Sequence, residues 1–183
     1  MVGEVAEQLA RLAVTCTSPD GNISARIRAG QLEELALRPG AYERYTEPDL
    51  AHQLARTATL LYIGHERETQ RVIWDAGLDR PTDPAQARDG AEHRFLRALQ
   101  TLSAVGSGPH EMVAFEISGM ARWQCQIAPG TLRWLPESDF LSEVSAAATG
   151  LLRHSQFEKA LLQNEHFGER HSLLVQERIR QRS

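Results

Sequence analysis

Val14-Thr15-Cys16-Thr17-Ser18-Pro19-Asp20-Gly21-Asn22-Ile23-Ser24-Ala25-Arg26-Ile27-Arg28 is the stretch that decides the fold. Its two ends alternate in polarity and its middle is a turn. In Ala13 to Thr17, Val14 and Cys16 face one way and Thr15 and Thr17 the other, the period of two that a strand requires. Ser18-Pro19-Asp20-Gly21-Asn22 turns the chain, because Pro presets φ and Gly or Asn accepts a positive φ. Ile23 to Arg28 alternates again, so the two runs form a β-hairpin.

Working outward, residues 3–13 read as a short helix with Val5, Leu9 and Leu12 on one side. Ala29-Gly30 makes a second turn, and Gln31 to Leu37 is a third strand with Leu35 and Leu37 in phase. Thr46, with Asp49 three residues on and Pro48 in the first turn, starts a long helix. Leu50, Leu54, Ala58 and Leu61 lie on one face of it, and it runs to about Trp74, ending near Gly77. Asp79 to Gly90 is rich in Pro, Asp and Ala and reads as a linker.

The same grammar then returns. Ala91 to Ser103 is an amphipathic helix carrying Phe95, Leu99 and Leu102, broken by Gly106-Ser107-Gly108-Pro109. Val113, Phe115 and Ile117 alternate on one strand, and Trp123, Cys125 and Ile127 on the next. Pro129-Gly130 turns into a short strand around Leu132 and Trp134. Ser138 or Asp139 caps a helix with Phe140, Val144, Ala148 and Leu151 on one face.

Ile23-x-Ala25-x-Ile27-x-x-Gly30-x-Leu32 matches Trp123-x-Cys125-x-Ile127-x-x-Gly130-x-Leu132, and Glu47-x-Asp49-Leu50 matches Glu137-x-Asp139-Phe140. The change of offset between these matches assigns an extra piece, Ala36 to Tyr45, to the first half. The expected fold class is therefore α+β. Tandem α-β-β-β-α units form a pseudo-two-fold, dimer-like arrangement of antiparallel sheets with long helices. The expected divisions are a unit over 1–78, a linker over 79–90, a second unit over 91–165 and a C-terminal helix or tail over 166–183. One such unit buries too little apolar area to stand alone, so two would join their sheets edge to edge or pack their faces.

Bulk properties bound the function. The chain has 183 residues, 42% hydrophobic and 24% charged, in the globular range. Its formal net charge is −4, which weighs mildly against nucleic acid as the partner. No apolar run is long enough to cross a bilayer, and Met1 to Leu12, with Glu4 and Glu7, does not read as a signal peptide. Cys16 and Cys125 lie far apart without a CxxC pattern; the expectation is two thiols in a reducing cytoplasm, with a single disulfide as the alternative.

Val14 to Gly21, the alternating strand after it, Gly30 to Leu37 and the Pro-Asp helix start together resemble the YbaB/EbfC family of bacterial nucleoid-associated proteins, over residues 5–75. The resemblance implies an α-β-β-β-α unit that dimerises, DNA binding and no chemistry. It also implies, for divergent members beside type VII secretion genes, adaptor or chaperone roles. Family members are single units, whereas this chain carries its own second unit.

Arg26 and Arg28 leave one face of a strand, opposite Ile23, Ala25 and Ile27. Arg38, Arg122 and Arg133 extend that surface and Arg56 sits on the long helix, which makes these six the candidate phosphate contacts. On the long helix Arg56, Arg67 and Arg71 are offset by Glu66 and Glu68, so no basic cluster is expected there. Trp134 and Tyr62 are the candidate protein-interface residues, exposed aromatics being frequent anchors. His166 and His171 are five apart, not at the i, i+4 spacing of helical metal ligands, so no metal or other cofactor is expected. Ser107, between glycines, lacks the nucleophile-elbow pattern, and no phosphate loop or dinucleotide fingerprint occurs. The chain thus reads as a non-enzymatic binding protein. Its ligand is DNA bound without sequence preference, or alternatively a protein partner of an adaptor, chaperone or immunity protein associated with type VII secretion. It would be a monomer with an internal pseudo-dimer, or a homodimer.

Overall fold

The hairpin forms where the alternation places it. A computed structural model describes residues 2–78, 81–119 and 122–180, with side chains from 3 to 168 of these. Helix α1 (Val2–Arg11) leads into β1 (Ala13–Thr17), which pairs antiparallel with β2 (Ile23–Arg28), Ala13 opposite Arg28 and Thr17 opposite Ser24. In the turn, Ser18 Oγ accepts from the Ile23 N–H at 2.9 Å and Gly21 takes φ 76°. Strand β3 (Gln31–Leu37) adds to the other side of β2, with a bulge between Arg26 and Ile27. Central β2 buries Ile23, Ala25 and Ile27. Helix α2 (Glu47–Asp75) starts as expected, with the Thr46 side chain accepting from the Asp49 N–H.

The second half is α3 (Gly90–Thr101), β4 (Ser103–Ser107), β5 (Val113–Ser118), β6 (Arg122–Ile127), the short α4 (Thr131–Trp134) and α5 (Glu137–Arg180). Its sheet has the order β4-β5-β6, matching β1-β2-β3, and both are antiparallel. The tandem α-β-β-β-α arrangement therefore holds, but the register of the repeat needs correction. One offset of ninety residues carries 13 to 103, 47 to 137 and every element between. It superposes Pro19 on Pro109, Ile27 on Ile117, and Pro39-Gly40 on Pro129-Gly130. There is no insertion over Ala36 to Tyr45: that segment contains a 3-10 turn, Tyr42–Arg44, whose counterpart is α4. Ile23-x-Ala25-x-Ile27 corresponds to Val113-x-Phe115-x-Ile117, not to the strand beginning near Trp123.

Three local expectations fail with it. Residues 131–134 are helical, entered through Gly130 at φ 86°, so Leu132 and Trp134 are not on a strand. The helix before β4 ends at Thr101, and Gly106-Ser107 completes a strand instead of a loop. Ser138 and Asp139 lie inside the first turn of α5, where the Pro136 carbonyl accepts from the Phe140 N–H. The boundary at 166 also disappears, because α5 continues as one helix through Gly168 to Arg180. Phe167 packs edge-on to Phe95 of α3 at 5.3 Å, which ties this part of α5 to α3.

The two sheets do not join edge to edge; each half completes the other through its long helix. Helix α2 packs on β1 and β2 of its own sheet and on β6 of the other. Helix α5 reciprocates, packing on β4 and β5 and on β3. The result is a main core in which Ile23, Leu37, Leu50 and Leu54 meet Val113, Phe115, Phe140 and Leu151, beside a smaller cluster of Ala25, Ile27 and Leu61 within the first half. Burying each of the larger of these side chains contributes roughly 1.5–3 kcal/mol, so this shared core dominates the stability. Polar links cross the same junction. The Tyr42 hydroxyl donates to the Leu135 carbonyl at 2.9 Å, and the Gly130 N–H donates to the Glu47 carboxylate at 3.1 Å. No helix among the described residues is long and apolar enough to cross a membrane.

Candidate binding surfaces

Arg26 and Arg28 share the outer face of the β1–β3 sheet, as their alternation requires, and Glu33 stands between them. The Arg28 Nε donates to Glu33 Oε1 at 2.8 Å, and the Arg26 Nε lies 2.9 Å from Oε2. One carboxylate thus answers two guanidinium groups, and Glu34, directly opposite Arg26 across the β2–β3 pair, brings the charge of this face to about zero. On the other sheet the residue equivalent to Arg26 is Glu116, so the duplication does not repeat the basic pair. Arg122 begins β6 on that second sheet. Arg38 follows β3, with its N–H donating to the Asn22 carbonyl. Arg133 lies on α4 and Arg56 on α2; all four of these residues are exposed. The six arginines occupy five different places in the fold, and only Arg26 and Arg28 are brought together.

Tyr62 and Trp134 lie on different surfaces. Tyr62 is half-buried in a cleft between α2 and α5, its ring 6.1 Å from that of Trp123. The cleft holds a cavity of roughly 160 Å³ floored by Leu32, Leu61, Ile117, Trp123 and Leu151. Trp134 is 78% exposed, with its indole lying beside Gly130.

A further surface escaped the sequence reading. Helix α2 buries Leu50, Leu54 and Leu61, yet it also exposes Leu60, Ile63 and Trp74. Trp74 is 76% exposed and Ile63 50%. At 100° per residue, Arg56, Leu60, Ile63, Arg67, Arg71 and Trp74 fall within a sector of about 80°. Arg71 pairs with Glu68 at 2.5 Å, while Glu66 lines the cleft on another side of the helix and does not offset Arg67. The signal in the sequence was that Leu60 and Ile63 are out of phase with the buried stripe. Among the described side chains of α5 the large exposed apolar ones are Phe157 and Leu161, which correspond to Arg67 and Arg71.

Other chemistry-bearing groups serve the fold. Glu143 on α5 is buried, its side chain 2% exposed, and Oε1 accepts from the His110 N–H at 3.1 Å and contacts His110 Nδ1. The counterpart of Gly108 is Ser18, and a Cβ on Gly108 would sit 2.0 Å from Glu143 Oε2. Glu143 therefore occupies, in the second turn, the space that the Ser18 side chain takes in the first. Cys16 and Cys125 are both free and half-buried, without a disulfide. Burial raises both thiols, that of Cys125 to about 12. No group of three potential metal ligands occurs among the described residues, and the side chain of His171 lies outside them. Compared with known proteins, the chain matches no family model, no curated protein and no solved structure.

Proposed function

We propose that this protein is a non-enzymatic adaptor whose ligand is another protein. The observation that supports this reading is the solvent face of α2, where Leu60, Ile63 and Trp74 stand exposed on one helix. Large exposed apolar side chains gathered on one face are the usual material of protein interfaces, with Trp and Arg the commonest anchors. A phosphate backbone rewards cationic charge and gains little from leucine and isoleucine. The best-placed arginines for DNA, Arg26 and Arg28, spend part of their charge on Glu33. The adaptor role also agrees with the adaptor or chaperone roles that the family resemblance implies for divergent members beside type VII secretion genes.

The competing reading is sequence-tolerant DNA binding through the face that carries Arg26 and Arg28. A gel shift at low salt with a mixed-sequence duplex separates the two. The adaptor reading expects no shift at micromolar protein, and it expects a photo-cross-linking residue in place of Ile63 to trap one polypeptide of defined mass in host cells. A shift that weakens steeply with salt and is abolished by Arg26→Ala with Arg28→Ala would favour DNA instead.

A further inference from the structure

Resting on that adaptor reading, we infer that the α2 face takes one acidic amphipathic helix of the partner, laid along it, and that each chain binds a single copy. The stripe from Arg56 to Trp74 covers 19 residues, a rise of about 27 Å at 1.5 Å per residue, the length of a helix of five turns. It interleaves three large apolar groups with three arginines: Leu60, Ile63 and Trp74 with Arg56, Arg67 and Arg71. Among the described residues no carboxylate pairs with Arg56 or Arg67. The nearest acid in the same phase is Asp49, in the first turn of α2.

A cationic and apolar strip on a chain of net charge −4 is a local inversion of the whole. Its complement is a surface with apolar groups at helical spacing, flanked by Glu or Asp. A helix supplies this at i, i+3, i+4 and i+7, as helix-in-groove ligands do. Duplex DNA would leave Leu60 and Ile63 against phosphates. A bilayer would need an apolar face free to sink below the headgroups, but α2 is held against two sheets along its other side.

The internal duplication sets the stoichiometry. The positions of α5 equivalent to this stripe are Ala146, Gly150, Arg153, Phe157, Leu161 and Asn164. Apolar and cationic residues have changed places or been lost at every one. The pseudo-two-fold therefore does not generate a second site.

The test uses the full chain and fluorescein-labelled 18-residue helical peptides read by anisotropy. One carries a leucine stripe flanked by glutamates, and the second carries the same stripe flanked by lysines. A mixed-sequence DNA duplex and phosphatidylglycerol vesicles serve as the other probes. The inference expects the acidic peptide to bind one per chain and at least about tenfold tighter than the basic one. Ile63→Glu and Arg67→Glu should each weaken it about tenfold or more, while Phe157→Glu on α5 leaves it unchanged. All three positions are exposed, so circular dichroism of each variant should match the parent. Equal binding of both peptides, equal loss from Phe157→Glu, two peptides per chain, or preference for DNA or vesicles would overturn it. If no peptide binds while the cross-linker at position 63 still traps a polypeptide, the acidic-helix inference falls and the adaptor reading survives. If DNA binds and nothing is trapped, both fall.

Discussion

The two hairpin turns give the same backbone with different side chains. In the first, Ser18 accepts from the Ile23 N–H and Asp20 accepts from Ser18, Asn22 and Tyr45. Burial alone would raise the Asp20 carboxyl, but those hydrogen bonds outweigh it and hold the group below the usual range. In the second turn Glu143 reaches in from α5 and binds His110. Gly21 and Glu111 both take positive φ there, 76° and 57°, so the glutamate tolerates a conformation that glycine adopts freely. Cys125 supports a prediction at this scale. Its thiol is pushed up by burial from 9.0 to about 12. The folded state thus keeps the proton that the unfolded chain releases, and the corresponding stability is fully present below about pH 9 and lost as pH rises toward about 12. Tyr42, raised by burial and then by Glu137, Glu47 and Glu43, adds to the same alkaline decline. Urea titrations at pH 8 to 11 should show the parent losing stability faster than Cys125→Ala, with the gap between them narrowing as pH rises. Parallel curves would contradict the burial of this thiol.

At the scale of elements, the two halves differ in how closely helix meets sheet. A Cβ on Gly106 of β4 would lie 2.2 Å from the Leu151 nitrogen and 2.3 Å from the Ala147 oxygen, so the α5 backbone rests directly on the strand. The equivalent residue of β1 is Cys16, whose Sγ lies 3.6 Å from the Thr57 carbonyl oxygen. There a side chain fits between strand and helix. Gly106→Ala is therefore expected to cost about 3 kcal/mol by forcing α5 off β4. Cys16→Ala is expected to cost about 1 kcal/mol, a contrast that urea midpoints of the two variants check. The same glycine explains why β4 was not legible. Close approach of the helix demands a residue that weakens the strand signal, and Ser103-Ala104-Val105-Gly106-Ser107 looked like a helix end followed by a loop. The slipped register has a similar origin. A period of two fits the central strand and the edge strand alike, so Ile23-x-Ala25-x-Ile27 matched β6 as well as β5. Strand pairs with strong alternation, and helices with long apolar stripes, were read correctly. The α2 surface was not, because one helix carries a buried stripe and an exposed one and only the first has the expected phase.

At the scale of the molecule, the duplication makes one chain do what a dimer of single units would do. Each long helix covers strands of both sheets, and neither half has a core of its own that includes all of its buried residues. The halves should therefore open together. Hydrogen exchange read by mass spectrometry on the parent and on Val144→Ala tests this most directly. Val144 is buried on α5, and its truncation is expected to cost about 2 kcal/mol. If the two repeats form one cooperative unit, the slowest amides of β2 (Ile23–Arg28) and of β5 (Val113–Ser118) should both exchange about thirtyfold faster in the variant. Acceleration confined to β5, with β2 keeping its parental protection, would show that the halves are separate folding units and would contradict the shared core.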